Sequence, residues 1–166
     1  MSFNEFQQKM YKVIKSKINN QGLIATKDIK NDTKVIEYRG RLITKKETES
    51  NKKFDNDKHI YLFNINKRYD MDGDYKYNTA RLINHSCNPN CEVTGKGTKL
   101  WISSIKNIKK GEELSYDYGF GYDEYYKDFP CKCRSFNCCG YIVREGSRWR
   151  INKKKPWLKN RLKKRN

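Results

Sequence analysis

The first 86 residues hold no cysteine, and nowhere does the chain hold a long apolar run. A membrane-spanning helix needs about 18–20 consecutive apolar residues, so that class of protein is excluded. The amino-terminal stretch MSFNEFQQKMYKVIK lacks the apolar segment of a secretory signal, and export by that route is not expected. Internal repeats are missing as well, so a repeat array is not expected. Acids are few: 19 Asp and Glu stand against 37 Lys and Arg, a formal net charge of +18. Hydrophobic residues make up only 36%, but 13% of the chain is aromatic, including 12 tyrosines. A disordered basic protein lacks such aromatics, so a packed core is expected. At 166 residues the chain makes one domain of ordinary size, with little room for a second.

The excess charge favours an anionic partner such as nucleic acid, chromatin or a membrane surface. It is unevenly spread. Residues 144–166 hold 11 Lys and Arg and one acid, Glu145. This block reads as a solvated basic tail, with a nucleic-acid contact or a nuclear-import signal as the functional alternatives. Trp157, Leu158 and Leu162 form a short apolar stripe after Pro156, on which the tail could dock as a helix. Residues 111–129 run the other way. Glu112, Glu113, Asp117, Asp123, Glu124 and Asp128 face one base, Lys127. The segment is either an exposed acidic loop or a surface that attracts a positively charged substrate.

All six cysteines lie in the second half: Cys87, Cys91, Cys131, Cys133, Cys138 and Cys139. With no sign of export, a disulfide framework is disfavoured. Cys131, Cys133 and Cys138 instead read as a metal clip, three thiolates close enough to hold one Zn²⁺, which prefers four ligands. Cys139 is poorly placed beside Cys138, so either Cys87 or Cys91 is left to complete the set.

Phe3, Phe6, Met10, Val13 and Ile14 recur at helical spacing and predict an amphipathic helix over 3–16. Segments 22–25, 35–38, 60–65, 100–102 and 113–116 read as short strands. Asn31-Asp32, Asp72-Gly73 and Lys110-Gly111 read as turns. Thr44-Lys45-Lys46-Glu47 is a capping box that starts a polar helix ending near Asn51. Many short strands and few helices predict an all-β or α+β domain.

Two further segments carry the chemistry: Asn84-His85-Ser86-Cys87-Asn88-Pro89-Asn90-Cys91, entered through Asn78–Ile83, and Gly111-Glu112-Glu113-Leu114-Ser115-Tyr116-Asp117-Tyr118-Gly119. Together with the cysteine clip they resemble the two core motifs and the post-SET element of SET-domain protein lysine methyltransferases. Upstream, Asn20-Gln21-Gly22-Leu23 resembles the family's cofactor loop and Glu37-Tyr38-Arg39-Gly40 the strand that follows it. The resemblance runs from about Ser16 to Tyr141. It implies a mostly β, α+β fold of small curved sheets, in which a pseudoknot joins the two motifs. It divides the chain into a flanking helix (1–15), a SET domain (16–122), a post-SET zinc segment (123–143) and a basic tail (144–166).

The activity so implied is methyl transfer from S-adenosylmethionine to a lysine side chain, most naturally on histones. The in-line displacement depends on alignment of nucleophile, methyl and sulfur. The attacking lysine must be neutral, yet with an unperturbed pKa of ~10.4 only about one in a thousand is neutral near pH 7. A nearby sulfonium and a dry aromatic channel both lower that pKa, so an orienting tyrosine suffices in place of a strong base. By resemblance Tyr118 is the catalytic tyrosine, and Tyr116 sets product degree, its hydroxyl favouring mono- or dimethylation. Tyr61 and Phe63, with Tyr116, wall the lysine channel. Asn20, Gly22, Leu23, Tyr38, Arg81, Asn84, His85, Tyr118 and Tyr141 match cofactor positions. His85 stays open between direct contact and a backbone bond within the knot. Zinc would be held by Cys87, Cys131, Cys133 and Cys138, leaving Cys91 and Cys139 as packing residues.

The chain departs from the family pattern at Asn20, Tyr77 and Arg134, where Gly is usual, and at Arg41, where Glu is frequent. Asn20 tolerates the left-handed backbone of the turn. No cysteine-rich pre-SET cluster precedes Cys87. Two other readings remain: methylation of a non-histone basic protein, and a non-catalytic chromatin or nucleic-acid module. The expected partners are a basic protein substrate and DNA or nucleosomes touched through 153–166, with no membrane. The expected location is the nucleus or chromatin, a host's if the source is a bacterium or virus.

Overall fold

A computed structural model describes residues 10–54 and 61–153. Four small sheets organise them. β1 (Tyr11–Lys15) pairs antiparallel with β2 (Gln21–Ala25), from Tyr11 opposite Ala25 to Lys15 opposite Gln21. β3 (Lys34–Tyr38) lies beside β9 (Lys99–Ser104), which also pairs with β8 (Cys91–Lys96). β4 (Arg41–Thr44) and β5 (Leu62–Asn64) flank β6 (Tyr69–Asp72), all antiparallel. β7 (Asn84–His85) and β10 (Ser115–Tyr116) make the one parallel pair among the described residues. Two short helices complete the frame, α1 (Lys45–Ser50) and α2 (Arg148–Lys153). The mostly β, α+β expectation holds.

The helix expected over 3–16 does not form in its described part. Tyr11–Lys15 is a strand, and residues 1–9, with Phe3 and Phe6, lie outside the described residues. The segment YKVIK is aromatic and β-branched, and a tight loop supplies a partner strand within reach. In that loop Ser16 N–H bonds the Asn20 carbonyl at 2.9 Å, and the Ser16 hydroxyl oxygen accepts from Ile18 N at 2.8 Å. Asn20 has φ of 41°, the left-handed value foreseen for it. Periodicity located one contact correctly: Met10 is buried in the core.

Thr44 caps α1 as the capping box predicts, its side chain accepting from Glu47 N at 3.1 Å. Lys45 in α1 pairs with buried Asp70, and Lys53 just beyond it reaches the fully buried Asp72 at 2.6 Å. Both carboxylates sit on β6, so α1 is pinned to the central strand of its sheet. Gly73 follows β6, and a Cβ there would overlap the Tyr38 hydroxyl. Leu23, Val35, Ile36, Tyr38, Met71, Ile83, Ile102, Ile108, Leu114 and Tyr116 form the main core.

A second, smaller core gathers Cys87, Cys139, Val143 and Ile151 with Tyr122, Tyr126 and Tyr141 around them. This corrects the division at residue 144. Ser147, Arg148 and Ile151 are buried, so the first ten residues of the supposed basic tail belong to the folded body. The polar spelling REGSRWR hid one apolar anchor and one arginine whose charge is satisfied inside. Residues 154–166, including Trp157, Leu158 and Leu162, lie outside the described residues.

Candidate active site and metal centre

The two motifs, about thirty residues apart, meet through the parallel pairing of Asn84 with Ser115 and His85 with Tyr116. Side chains then hold the junction. Asn90 donates from Nδ2 to the Glu113 carbonyl at 2.9 Å and accepts Ser115 N at 2.8 Å. Asn84 Nδ2 lies 2.9 Å from the Gln21 carbonyl, 3.2 Å from the Asn19 carbonyl, and 3.0 Å from both Ser16 Oγ and Glu113 Oε1. Ser16 in turn donates to Glu113 Oε1 at 2.6 Å. One buried amide therefore stitches the 16–21 loop to both motifs. Gly22 is required here, because a Cβ would run into Glu113 and Ser16.

Tyr118 follows β10. Its hydroxyl donates to the Ile83 carbonyl at 2.9 Å, and its N–H donates to His85 Nδ1 at 3.2 Å. Since Nδ1 accepts, the ring proton of His85 belongs on Nε2, which lies 3.6 Å from Cys87 Sγ. Burial pushes His85 down to about 4, only partly opposed by Asp117, so the ring is neutral. Burial raises the hydroxyls of Tyr116 and Tyr118 above their ordinary range, and both stay protonated at neutral pH.

An open cavity of 220 Å³ lies beside the knot, lined by Asn84, His85 and Tyr118 on one side. Ile18 and Asn19 of the first loop and Phe129–Lys132 of the cysteine segment close the other sides. From Tyr118 an aromatic series begins: Tyr116 at 4.9 Å, then Phe63 at 6.1 Å from Tyr116, then Tyr38 at 4.4 Å from Phe63. Tyr38 donates to the Tyr61 carbonyl at 2.9 Å, and the Arg81 guanidinium lies 5.6 Å from the Tyr61 ring.

Of the residues matched to cofactor positions, Asn84, His85 and Tyr118 line the cavity. Asn20, Gly22 and Leu23 shape its loop from behind, Leu23 being wholly buried. Tyr38 and Arg81 do not line the cavity and lie beside Tyr61 instead; Arg81 bonds the Tyr75 carbonyl at 3.1 Å and pairs with Asp74. Tyr141 does not line the cavity; it bridges to Pro130 and packs against Tyr126. Sequence reasoning missed Ile18, Asn19, Phe129, Pro130, Lys132 and Ile142 and read Asp128 only as part of the acidic segment; their signal is only their position beside recognised motifs.

The sulfurs of Cys87, Cys131, Cys133 and Cys138 all lie within 4.8 Å of one another, and Cys87 and Cys131 are 3.9 Å apart. Tetrahedral zinc with Zn–S bonds of ~2.3 Å separates its sulfurs by about 3.8 Å, so the donor set fits. Donors also aim at these sulfurs: Cys87 N at 3.4 Å and Ser135 Oγ at 3.2 Å from Cys133, and Gly140 N at 3.4 Å from Cys138. Such bonds suit metal-bound thiolates. Cys91 and Cys139 are fully buried in the two cores, and burial pushes the Cys91 thiol up to about 12.

A family model described as "SET domain" matches residues 20–119, well over half of the chain. The chain belongs to the SET-domain family. Over 140 residues, 81% of this chain, it is 39% identical to human "Histone-lysine N-methyltransferase 2D", of which the match covers 2%. It is 38% identical over 135 residues, 76% of the chain, to "Histone-lysine N-methyltransferase, H3 lysine-4 specific" of Schizosaccharomyces pombe, covering 14% of that protein. An Arabidopsis thaliana relative, "Histone-lysine N-methyltransferase ASHR3", is 32% identical over 82% of the chain, covering 28% of its own length. The chain thus spans less than a third of each of these three relatives. Among the described residues no helix is long and apolar enough to cross a membrane. The SET match ends at residue 119, so the cysteine segment and α2 lie beyond it.

Proposed function

We propose that this chain is a protein lysine methyltransferase that moves a methyl group from S-adenosylmethionine to lysine side chains of a histone, stopping at mono- or dimethylation. The observation that carries the reading is Tyr118, which belongs both to the cavity lining and to the aromatic series behind it. S-adenosylmethionine supplies a methyl on a positively charged sulfur. The chain's own residues supply alignment and a dry path. Asn84, the 16–21 loop and the Phe129–Lys132 edge would hold the methyl donor in the cavity. Tyr61, Phe63 and Tyr116 would sheath the lysine, and their low polarity favours its neutral form. Tyr118, protonated and anchored on the Ile83 carbonyl, orients the meeting point. The Tyr116 hydroxyl occupies space that further methyl groups would need. Zinc, held by the four cysteines, would fix the segment that closes the cavity.

The relatives' names support a histone substrate and a nuclear, chromatin-bound place of action, and the fission yeast relative makes histone H3 lysine 4 the first target to try. Incubation with labelled cofactor, nucleosomes, free histones and a cell extract tests the reading. Label should enter a histone, and Tyr118→Phe should cut transfer by about 10²-fold or more. Tyr116→Phe should shift the product toward trimethyllysine by mass spectrometry. No transfer, or transfer indifferent to Tyr118→Phe, overturns the enzyme. Transfer confined to a non-histone protein overturns the histone substrate.

A further inference from the structure

Arg148 is the least expected residue of the molecule: a buried cation in a segment that reads as a solvated tail. All three arms of its guanidinium are used. Nε donates to the Val143 carbonyl at 2.8 Å, NH1 to the Cys87 carbonyl at 2.7 Å, and NH2 to Asp117 Oδ2 at 2.6 Å. Asp117 is equally engaged, accepting Glu145 N at 2.9 Å on the same oxygen and Gly119 N at 2.9 Å on the other. A buried arginine is tolerated where its charge is paired and its nitrogens are bonded, and here each of the three nitrogens has a partner, one of them a carboxylate.

The three partners come from three parts of the site. Cys87 is a sulfur ligand and follows β7. Val143 ends the cysteine segment. Asp117 stands between Tyr116 and Tyr118, just beyond β10. The rings of Tyr116 and Tyr118 lie 4.9 Å apart, while the Asp117 carboxylate reaches Arg148 of α2. Further bonds frame the same seam: Arg144 N reaches the Phe120 carbonyl at 2.9 Å and Ile142 N the Phe129 carbonyl at 2.8 Å. Phe129 is part of the cavity wall.

We propose that Arg148 is a positioning residue that locks the cysteine segment onto the catalytic strand, and that it sets cofactor retention and metal retention together. It touches neither cofactor nor substrate. It acts by fixing the cysteine segment, through Asp117, as the wall that closes the cavity. The inference rests on the cofactor reading of that cavity. Its test uses the zinc-loaded full chain. Binding of S-adenosylhomocysteine is measured by calorimetry, zinc loss to a chromogenic chelator by absorbance, and peptide methylation at saturating cofactor.

Arg148→Met and Asp117→Asn should each weaken S-adenosylhomocysteine binding about tenfold or more and speed zinc loss by a similar factor. The peptide KM at saturating cofactor should stay within about twofold of the parent, a split that general destabilisation does not produce. The double variant should lose little beyond either single one, because the two side chains act as one unit. Arg148→Lys keeps the charge but not the three-armed geometry, should fall between, and decides the matter if Arg148→Met does not fold. Folded variants with unchanged binding and unchanged zinc loss overturn the proposal. If the parent itself fails to bind S-adenosylhomocysteine, the cavity reading fails instead.

Discussion

Arg134 has φ of 56° inside the cysteine segment, a left-handed conformation that side chains with a Cβ adopt at a cost of roughly 1–2 kcal/mol. Glycine is usual at this position in the family the chain resembles. Arg134→Gly should therefore stabilise the zinc-loaded protein, by up to about 1 kcal/mol after the entropy glycine adds to the unfolded chain. Thermal unfolding reads this as a rise of a few degrees. Asn20→Gly, at φ of 41°, should change little, since Asn bears that conformation well. The tyrosines give a second residue-level expectation. Because burial raises Tyr118 and Tyr116, neither ionises through the mildly alkaline range. The rate of peptide methylation should climb from pH 7 to about pH 9.5 as substrate lysine loses its proton, with no falling limb from tyrosine. A bell with a descending limb near pH 8 would contradict this.

Elements were legible where local chemistry and global packing agree. The capping box at Thr44 predicts α1 because its side chain accepts Glu47 N within one turn. β3 and β9 announce themselves by aromatic and β-branched residues. β1 is ambiguous in the sequence because Met10, Val13 and Ile14 fit a helical stripe equally well, and only the partner strand decides. The site was legible in its motifs and obscure in its surroundings. Asn84, His85 and Tyr118 stand in recognisable strings, whereas Phe129–Lys132 reach the cavity only because the metal segment folds back. Arg81 looked like a cofactor residue and lies instead against Tyr61, since the short turn at Thr79–Leu82 turns its side chain toward Tyr75. The cysteine segment carries its own expectation. Cys87→Ser should reduce zinc below one ion per chain by metal analysis and weaken S-adenosylhomocysteine binding. Cys91→Ser, in the other core, should leave the metal content intact.

The net charge takes a different meaning once its members are located. Glu113 and Asp117, counted as part of an acidic surface, are spent inside on Ser16, Asn84 and Arg148. Glu112, Asp123, Glu124 and Asp128 remain exposed, with Asp128 in the cavity lining, and these are the acids of the segment left to attract a basic peptide. The basic side divides as well, because Arg148 is neutralised in the fold while residues 154–166 add seven Lys and Arg and no acid. Deleting 154–166 should lower affinity for DNA or nucleosomes at low salt and flatten the salt dependence of binding, while peptide methylation persists. Deleting from residue 144 onward should instead abolish methylation, because that cut removes Arg148 and Ile151. Equal activity of the two truncations would contradict the placement of α2.

The parallel pair β7–β10 joins residues about thirty positions apart, and the four sulfurs span 51 residues between Cys87 and Cys138. Neither can form until most of the chain is present, since closing such loops costs entropy before any contact repays it. A ribosome-bound chain ending before Cys138 lacks the fourth sulfur, and one ending before Arg148 lacks the lock. The proposed chemistry therefore waits on two successive arrivals, and a chain released before them carries the upstream strands without a complete centre.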